Sequence, residues 1–191
     1  MNSKEQKTPT ANHSTTIQTI EDLIAELTDE ERTDYADIIN SIAISANDFE
    51  AFSTWSEESY TRNCLVDNER LELILLCWEP NQVTPIHDHG GEECWVKVID
   101  GELMETIYEP FEDNELEELV SKTSKAGDIS YMADFIGFHR LENSHNGRSM
   151  SLHLYAKPIR SCRLFDEDSK KFIRKELVYD TIAEMEMNLN N

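Results

Sequence analysis

Two histidines separated by one residue mark the first place in the chain where a metal ion could bind. His87 and His89 stand at i and i+2, a spacing that points both imidazoles to one face of a β-strand. Pro85 before them suits the start of a strand, and Gly90 and Gly91 after them permit a sharp turn. Imidazole nitrogen is a good ligand for zinc, copper, iron and nickel. The pair alone is also compatible with ordinary surface or core histidines.

A third metal ligand has two candidates. His139 is flanked by large apolar residues, so its ring should be buried and should need a polar partner, either a backbone carbonyl or a metal. Glu93 could instead complete a triad of two histidines and one carboxylate. Alternation along the strand 93–100 places Cys94 on the inward face and Glu93 on the outward face. This alternation disfavours Glu93 as a ligand, unless a β-bulge reverses the order.

A later strand carries three hydrogen-bonding side chains on one face. Ser151, His153 and Tyr155 alternate with apolar neighbours over 149–157, which would line them up along a single strand. Such a row could serve chemistry, or it could simply be the solvent-facing side of the strand.

Helical periodicity comes before strand periodicity in the chain. Apolar residues recur at three- and four-residue steps over 17–27, which predicts a first helix. Thr28 followed by Glu31 predicts a capping box that opens a second helix over 29–44. A third short helical segment is predicted over 48–55 by the same period.

From about residue 60 the chain consists of short runs separated by turn residues, as in a sandwich or barrel. The predicted strands cover 71–78, 93–100, 102–109, 128–132, 149–157 and 172–179. Helices followed by many strands indicate an α+β protein that is mainly β. We expect a disordered tail at 1–16 and a single domain over 17–187, with helices over about 17–55 and a β-barrel over about 60–180.

Composition narrows the classes of partner. The 191 residues contain 17 Lys and Arg against 39 Asp and Glu, a formal charge of −22 that would repel nucleic acid and anionic membranes. The longest apolar run, 73–78, is too short to span a bilayer. Four cysteines without paired CxxC spacing suit a reducing compartment. We therefore expect a cytoplasmic protein with no nucleic-acid or membrane partner.

Several motifs together resemble a known family. The segment 85–89, followed by Cys94 and Gly101, is similar to the first cupin motif, with Cys94 where that motif usually has Glu. His139 and Asn143 are similar to the second cupin motif. Four further segments agree in type and order: Tyr60–Asn63, Leu76–Trp78, Gly137–Asn143 and Ser151–Tyr155. Over about 17–179 the chain resembles thiol dioxygenases of the cysteine dioxygenase type.

This resemblance implies a cupin jelly-roll β-barrel, here preceded by the helical segment. It implies one non-haem Fe(II) per chain, held by three neutral histidines that correspond to His87, His89 and His139. The implied activity is the oxidation of L-cysteine by O₂ to cysteine sulfinic acid, the first step of cysteine catabolism. The family's thioether cross-link, a protein-derived cofactor, would join Cys94 to Tyr155.

The resemblance also implies roles around the substrate. Arg62 corresponds to the arginine that binds the substrate carboxylate, with Tyr60 and Tyr155 beside it. Ser151 and His153 correspond to a polar relay that orients Tyr155, and Trp78 corresponds to a tryptophan behind this relay. We expect a monomer whose partners are L-cysteine and O₂. The remaining cysteines are interpreted as small apolar fillers of the core: Cys64, Cys77 and Cys162.

Three alternatives remain open from the sequence. The first is a dioxygenase of another small thiol such as 3-mercaptopropionate, although such relatives tend to lack the residues found here as Arg62 and Cys94. The second is a cupin that binds a metal or a thiol as a sensor or store without turnover. The third is an interaction protein with an acidic surface, which would leave the histidine spacing unexplained.

Overall fold

A computed structural model of the chain describes residues 16–111 and 115–183. Residues 1–15 of the predicted tail lie outside the described residues, as do residues 184–187 of the predicted domain. No helix in the described ranges is long and apolar enough to cross a membrane.

The helical segment is shorter and more broken than predicted. It comprises α1 (Ile20–Thr28), α2 (Tyr35–Ser41) and a 3₁₀ helix (Ala46–Phe52). Helix α1 begins at Thr19, whose hydroxyl accepts a hydrogen bond from the Asp22 backbone N–H at 3.1 Å. The predicted helices over 17–27, 29–44 and 48–55 therefore exist only in part.

The predicted capping box at Thr28 and Glu31 is wrong. The Thr28 hydroxyl donates to the Ile24 carbonyl at 2.7 Å, one turn back inside α1, so it is not available to the following residues. The carboxylate of Asp29 accepts the Glu31 N–H instead, at 2.9 Å. This contact forms a turn after α1, and the next helix starts only after Asp34.

Twelve strands form two six-stranded sheets. They are β1 (Thr61–Asp67), β2 (Glu72–Trp78), β3 (Ile86–His87), β4 (Glu93–Asp100), β5 (Glu102–Pro110), β6 (Leu116–Lys125), β7 (Ile129–Met132), β8 (Phe138–Glu142), β9 (Ser149–Ala156), β10 (Ser161–Asp166), β11 (Lys171–Glu176) and β12 (Thr181–Ile182). One sheet has the order β12-β1-β2-β9-β4-β7, and the other has the order β11-β10-β3-β8-β5-β6. The predicted jelly roll preceded by helices is confirmed; among the described residues its two sheets are not closed into a ring by hydrogen bonds.

The helices cover the outer face of the first sheet, and this cover explains why β9 is buried on both sides. Leu152 and Leu154 point to the helical layer and are fully buried in the core cluster that includes α1 and α2. Tyr155, on the opposite face of β9, belongs to the core cluster between the sheets. The row of polar side chains predicted on β9 therefore faces the protein interior and not solvent.

The predicted C-terminal strand over 172–179 is replaced by two shorter strands. Strand β11 ends at Glu176, and the chain then crosses to the other sheet, where β12 pairs in parallel with β1. Asp180 directs this crossing, since its carboxylate accepts the Arg62 N–H at 2.7 Å and its own N–H donates to the Arg62 carbonyl at 2.8 Å. Alternation within one strand carries no information about such a change of sheet.

The pairing of β3 with β8 matters most for the site, because His87 lies directly opposite His139. Strand β8 also pairs with β5, and Gly137 begins this close approach with φ +135°. A Cβ atom at Gly137 would lie 2.3 Å from the Tyr108 carbonyl oxygen, which no side chain tolerates. A glycine two residues before His139 is therefore needed to bring β8 against its neighbour.

Candidate metal centre and substrate cavity

Three histidines bring their ring nitrogens together between the sheets. The candidate ligand atoms of His87, His89 and His139 all lie within 4.8 Å of one another. The Nε2 atoms of His89 and His139 are 3.0 Å apart. His87 lies on β3, but β3 ends there, so His89 lies in the loop after the strand and not on the strand as its spacing predicted. The carboxylate of Asp134 holds this loop by accepting the His89 backbone N–H at 2.8 Å.

Hydrogen bonds at the far side of two rings decide which nitrogen is free. His87 Nδ1 lies 2.9 Å from the Pro85 carbonyl oxygen, and His139 Nδ1 lies 2.7 Å from Glu105 Oε1. Both oxygens can only accept, so each Nδ1 carries a proton and each neutral ring keeps an unprotonated Nε2. The Nε2 lone pairs of His87 and His139 are thus available to a metal ion.

The centre favours uncharged rings. Burial, followed by the positive charge that His139 would carry, lowers the pKa of His87 to about 3. Burial and the neighbouring histidines also lower the pKa of His89 well below its usual value. Neutral imidazole is the form that binds metals. Three convergent imidazoles, two of them with lowered pKa values, therefore fit a transition-metal cation.

A buried carboxylate stands behind one of the three rings. Glu105 lies on β5 with its side chain 9% exposed. Burial raises its pKa, but the hydrogen bond from His139, together with the Ser130 hydroxyl and Lys122, brings the pKa below its ordinary value. Glu105 is therefore an anion inside the protein.

The predicted alternation along β4 is confirmed, with Cys94 on the inward face and Glu93 on the outward face. Cys94 is fully buried, whereas Glu93 is exposed and accepts a hydrogen bond from the Tyr131 hydroxyl. Cys94 also lies directly opposite Tyr155 in the pairing of β4 with β9. Burial raises the pKa of the Cys94 thiol well above its usual value, an effect that its hydrogen bond with Tyr155 partly offsets.

Tyr155 connects the metal centre to the polar side chains of β9. Its ring lies 5.5 Å from the ring of His89 between centroids, at 72°. Its neighbour His153 stacks at 6.4 Å between centroids. Burial, followed by the nearby Cys94, raises the pKa of Tyr155 well above its usual value, so the hydroxyl keeps its proton.

Trp78 and two polar side chains of β9 form a chain of hydrogen bonds. The indole Nε1 of Trp78 donates to Ser151 Oγ at 3.0 Å, and Ser151 Oγ lies 2.9 Å from His153 Nε2. Because indole can only donate, the Ser151 hydroxyl accepts that bond, and its own hydrogen or its second lone pair serves the contact with His153 Nε2. Burial, followed by the charge of Arg62, lowers the pKa of His153 well below its usual value, so the ring is neutral.

A cavity of about 390 Å³ opens beside the histidines. Tyr60, Arg62, His87 and Tyr155 line its polar side, and Tyr60 stacks on Trp78 with ring centroids 4.7 Å apart. The Nε and Nη2 atoms of Arg62 are buried and have no hydrogen-bond partner among the described residues. A buried guanidinium without a partner is unfavourable, so this wall of the cavity is suited to an anion.

Tyr60, Arg62 and Tyr155 line this cavity with His87, and His89 and His139 complete the histidine cluster. Cys94 is paired with Tyr155, and Trp78, Ser151 and His153 are hydrogen-bonded in a row. Glu93, the alternative ligand, is exposed. Two features of the site were missed. Glu105 gave only a weak signal, a single acid in the middle of a predicted strand. The segment 177–180, which contributes Leu177, Val178 and Asp180 to the cavity wall, gave none, because its role depends on the crossing between sheets.

Comparison with known proteins gives consistent matches. The family model "Cysteine dioxygenase type I" matches residues 1–168. "Cysteine dioxygenase type 1" of Danio rerio is 33% identical over 163 residues, which cover 78% of this chain and 80% of that protein. The proteins of the same name from Rattus norvegicus and Homo sapiens are 37% identical over 122 residues, about 61% of this chain and 60% of each relative.

A solved structure of a protein with a double-stranded β-helix domain from Klebsiella pneumoniae also matches. It has 18% sequence identity and a TM-score of 0.48, and the match covers 62% of this chain and 94% of that chain.

The low pKa of His153 predicts a dependence of stability on pH. In the metal-free protein, His153→Gln should make the free energy of unfolding less sensitive to pH below about 6.5. The reason is that the unfolded chain binds a proton at His153 that the folded chain excludes, so stability is full above the unfolded pKa and falls as the pH drops. The parent's slope should exceed the variant's by up to about 1.4 kcal/mol per pH unit.

Urea unfolding at several pH values between 7 and 5 measures both slopes. Glutamine can still accept the Ser151 hydrogen bond, so the variant isolates the titration. Equal slopes in the two proteins would show that His153 becomes protonated inside the folded state.

Proposed function

The chain belongs to the cysteine dioxygenase type I family, and we therefore propose that it oxidises L-cysteine with O₂ to cysteine sulfinic acid. Both oxygen atoms are added to sulfur, so one O₂ is consumed per thiol and no further reductant is needed. One observation carries the proposal: the unpartnered guanidinium of Arg62 lines the same cavity as His87. This combination offers an anion site beside a metal site, as a small carboxylated thiol requires.

The three histidines would hold one ferrous ion per chain. The free Nε2 atoms of His87 and His139, and the ring of His89 beside them, supply neutral ligands. Imidazole also suits zinc, copper and nickel, and the family match supports iron among these. When bound, the ferrous ion would lower the pKa of the substrate thiol and supply the redox chemistry by which the thiol and O₂ react.

Arg62 would bind the substrate carboxylate. Its two unpartnered nitrogens can donate in parallel to two carboxylate oxygens, a strong and directional contact. Tyr60 and Tyr155 line the same wall and can contribute further hydrogen bonds to that carboxylate. Asp180 anchors the Arg62 backbone through two hydrogen bonds, which fixes the point on β1 from which this side chain extends to the cavity.

The polar side chains of β9 would orient Tyr155. Ser151 and His153 are joined by a hydrogen bond, Trp78 donates to the same Ser151 hydroxyl, and neither Ser151 nor His153 carries a charge. Tyr155 keeps its hydroxyl proton and can donate it as a hydrogen bond to a carboxylate or to oxygen in the cavity. A fixed donor at this position favours one orientation of the substrate.

The cavity wall also carries apolar side chains beside the charged Lys175, Glu176 and Asp180. The apolar ones include Val83, Ile159, Leu164 and Leu177. These side chains reduce the water around the reacting groups, which strengthens the contact between Arg62 and a carboxylate. They also offer no hydrogen bonds to larger polar thiols.

Cys94 and Tyr155 would form a thioether bond. Their direct pairing across β4 and β9 and the burial of both side chains support this proposal. Bond formation removes the thiol hydrogen and one ring hydrogen as two protons and two electrons, which O₂ accepts. The link would lock the ring of Tyr155 in place.

The cysteines also support a location in a reducing compartment such as the cytoplasm. Cys64, Cys77, Cys94 and Cys162 are all free and buried in the structure. Persistent free thiols are typical of such compartments.

Replacing Arg62 by Ala tests the carboxylate site. In Fe(II)-loaded protein, kcat/KM for L-cysteine should fall about 10- to 100-fold, the equivalent of one charged hydrogen-bonded contact. Uptake of O₂ with cysteamine, which lacks the carboxylate, should change little. Arg148→Ala is the matched control, because Arg148 pairs with Glu79 outside the cavity and should not affect either substrate. Oxygen uptake and identification of the sulfinate product measure these effects.

Equal losses for cysteine and cysteamine would refute the role of Arg62. Faster turnover of 3-mercaptopropionate than of cysteine by the parent would make the protein a dioxygenase of another thiol. Iron binding without oxidation of any of these thiols would contradict the enzymatic function.

The thioether proposal predicts two forms of the protein on a reducing denaturing gel. Exposure of the Fe(II)-loaded parent to O₂ and L-cysteine should produce a second band of altered mobility, with a loss of two mass units by mass spectrometry. Cys94→Ser should give one band only, whereas Cys64→Ser, a buried control outside the site, should still give two. A second band that persists in Cys94→Ser would assign the modification to another residue.

A further inference from the structure

Glu105 and His139 form a buried hydrogen bond, and in the described ranges His139 is the one histidine of the cluster with a carboxylate partner. Glu105 reaches His139 from the neighbouring strand, since Ile107 on β5 is the residue paired with His139 on β8. The Glu105 Oε1 to His139 Nδ1 distance is 2.7 Å, and the side chains are 9% and 1% exposed. Water therefore screens this interaction little.

The other histidines of the cluster lack such a partner. His87 Nδ1 faces the neutral carbonyl of Pro85 at 2.9 Å. In the described ranges, Glu105 is the carboxylate that hydrogen-bonds to a ring of the cluster, and it does so only at His139. The three imidazoles are thus chemically unequal, although they are the same residue type.

A carboxylate behind an imidazole has two known physical effects. It fixes the tautomer and the orientation of the ring, and it raises the electron-donating strength of the opposite nitrogen. It also places a negative charge near the metal site, where three neutral ligands leave the cation's charge uncompensated. A negative charge stabilises the ferric state of an iron ion more than its ferrous state, because the ferric ion carries the larger charge.

We infer that Glu105 is a positioning residue that makes His139 the strongest electron donor of the three ligands, and that it thereby sets the iron affinity and lowers the Fe(III)/Fe(II) midpoint potential. The inference rests on the proposed three-histidine iron site. No carboxylate is among the three proposed ligands, but the carboxylate of Glu105 is hydrogen-bonded to one of them, His139.

Glu105→Gln tests the charge while keeping the shape, since the amide oxygen can still accept from His139 Nδ1. We expect the Fe(II) dissociation constant to rise about 10- to 100-fold and the midpoint potential to become more positive. Glu102→Gln is the control: Glu102 lies on the same strand but pairs with Lys125 at 3.2 Å near the surface, so both quantities should stay at the parent values. Anaerobic Fe(II) titration and redox titration measure them, and circular dichroism checks the fold.

The outcomes separate this inference from the proposed function. A parent protein that binds no Fe(II) refutes both. A parent that binds Fe(II) while Glu105→Gln shows the same affinity and potential refutes only the role of Glu105. Equal effects of Glu102→Gln and Glu105→Gln also refute it, because they would reflect overall charge.

A measurement on the unaltered protein covers the case in which Glu105→Gln fails to fold. In the Zn(II)-loaded, ¹⁵N-labelled parent, His139 should show a strongly downfield proton on Nδ1, as expected for an imidazole that donates to a buried carboxylate. Absence of a proton on His139 Nδ1 in the metal-loaded protein would overturn the inference.

Discussion

The structure depends on bringing the nitrogens of three imidazoles into one small volume. Burial and the neighbouring rings disfavour a proton on His87, whose pKa is lowered to about 3, and on His89. Hydrogen bonds to the far side of His87 and His139 hold the tautomer that exposes Nε2. The pairing of β3 with β8 brings together two of the rings, whose strands are separated by some fifty residues in the chain. Any change that shifts this pairing would separate the ligands.

A second constraint is the buried cation at Arg62. Two buried guanidinium nitrogens of Arg62 have no hydrogen-bond partner among the described residues, which is costly, and the fold retains them beside the histidine cluster. Under the proposed function, a substrate carboxylate would relieve that cost, and a thiol without an anionic group would gain nothing from Arg62. The helical layer contributes by burying the opposite face of β9, which turns the polar side chains of this strand inward.

Local periodicity predicted much of this arrangement. Alternation in β4 separated the buried Cys94 from the exposed Glu93, and alternation in β9 placed Ser151, His153 and Tyr155 on one face. The errors lie where tertiary contacts override local pattern. The Thr28 hydroxyl bonds backward inside α1, so the second helix starts later than predicted.

Features that depend on long-range contacts had no local signature. In the sequence, Glu105 is an ordinary strand residue, because its contact with His139 depends on the pairing of β5 with β8. The family resemblance, and not periodicity, grouped Arg62 with the distant histidines.

X-ray absorption at the iron edge tests the three-histidine centre, using Fe(II)-loaded protein before and after anaerobic addition of L-cysteine. We expect imidazole scattering without sulfur before the addition and a new sulfur neighbour of the iron afterwards. A spectrum without imidazole scattering, or one unchanged by L-cysteine, would rule out this centre.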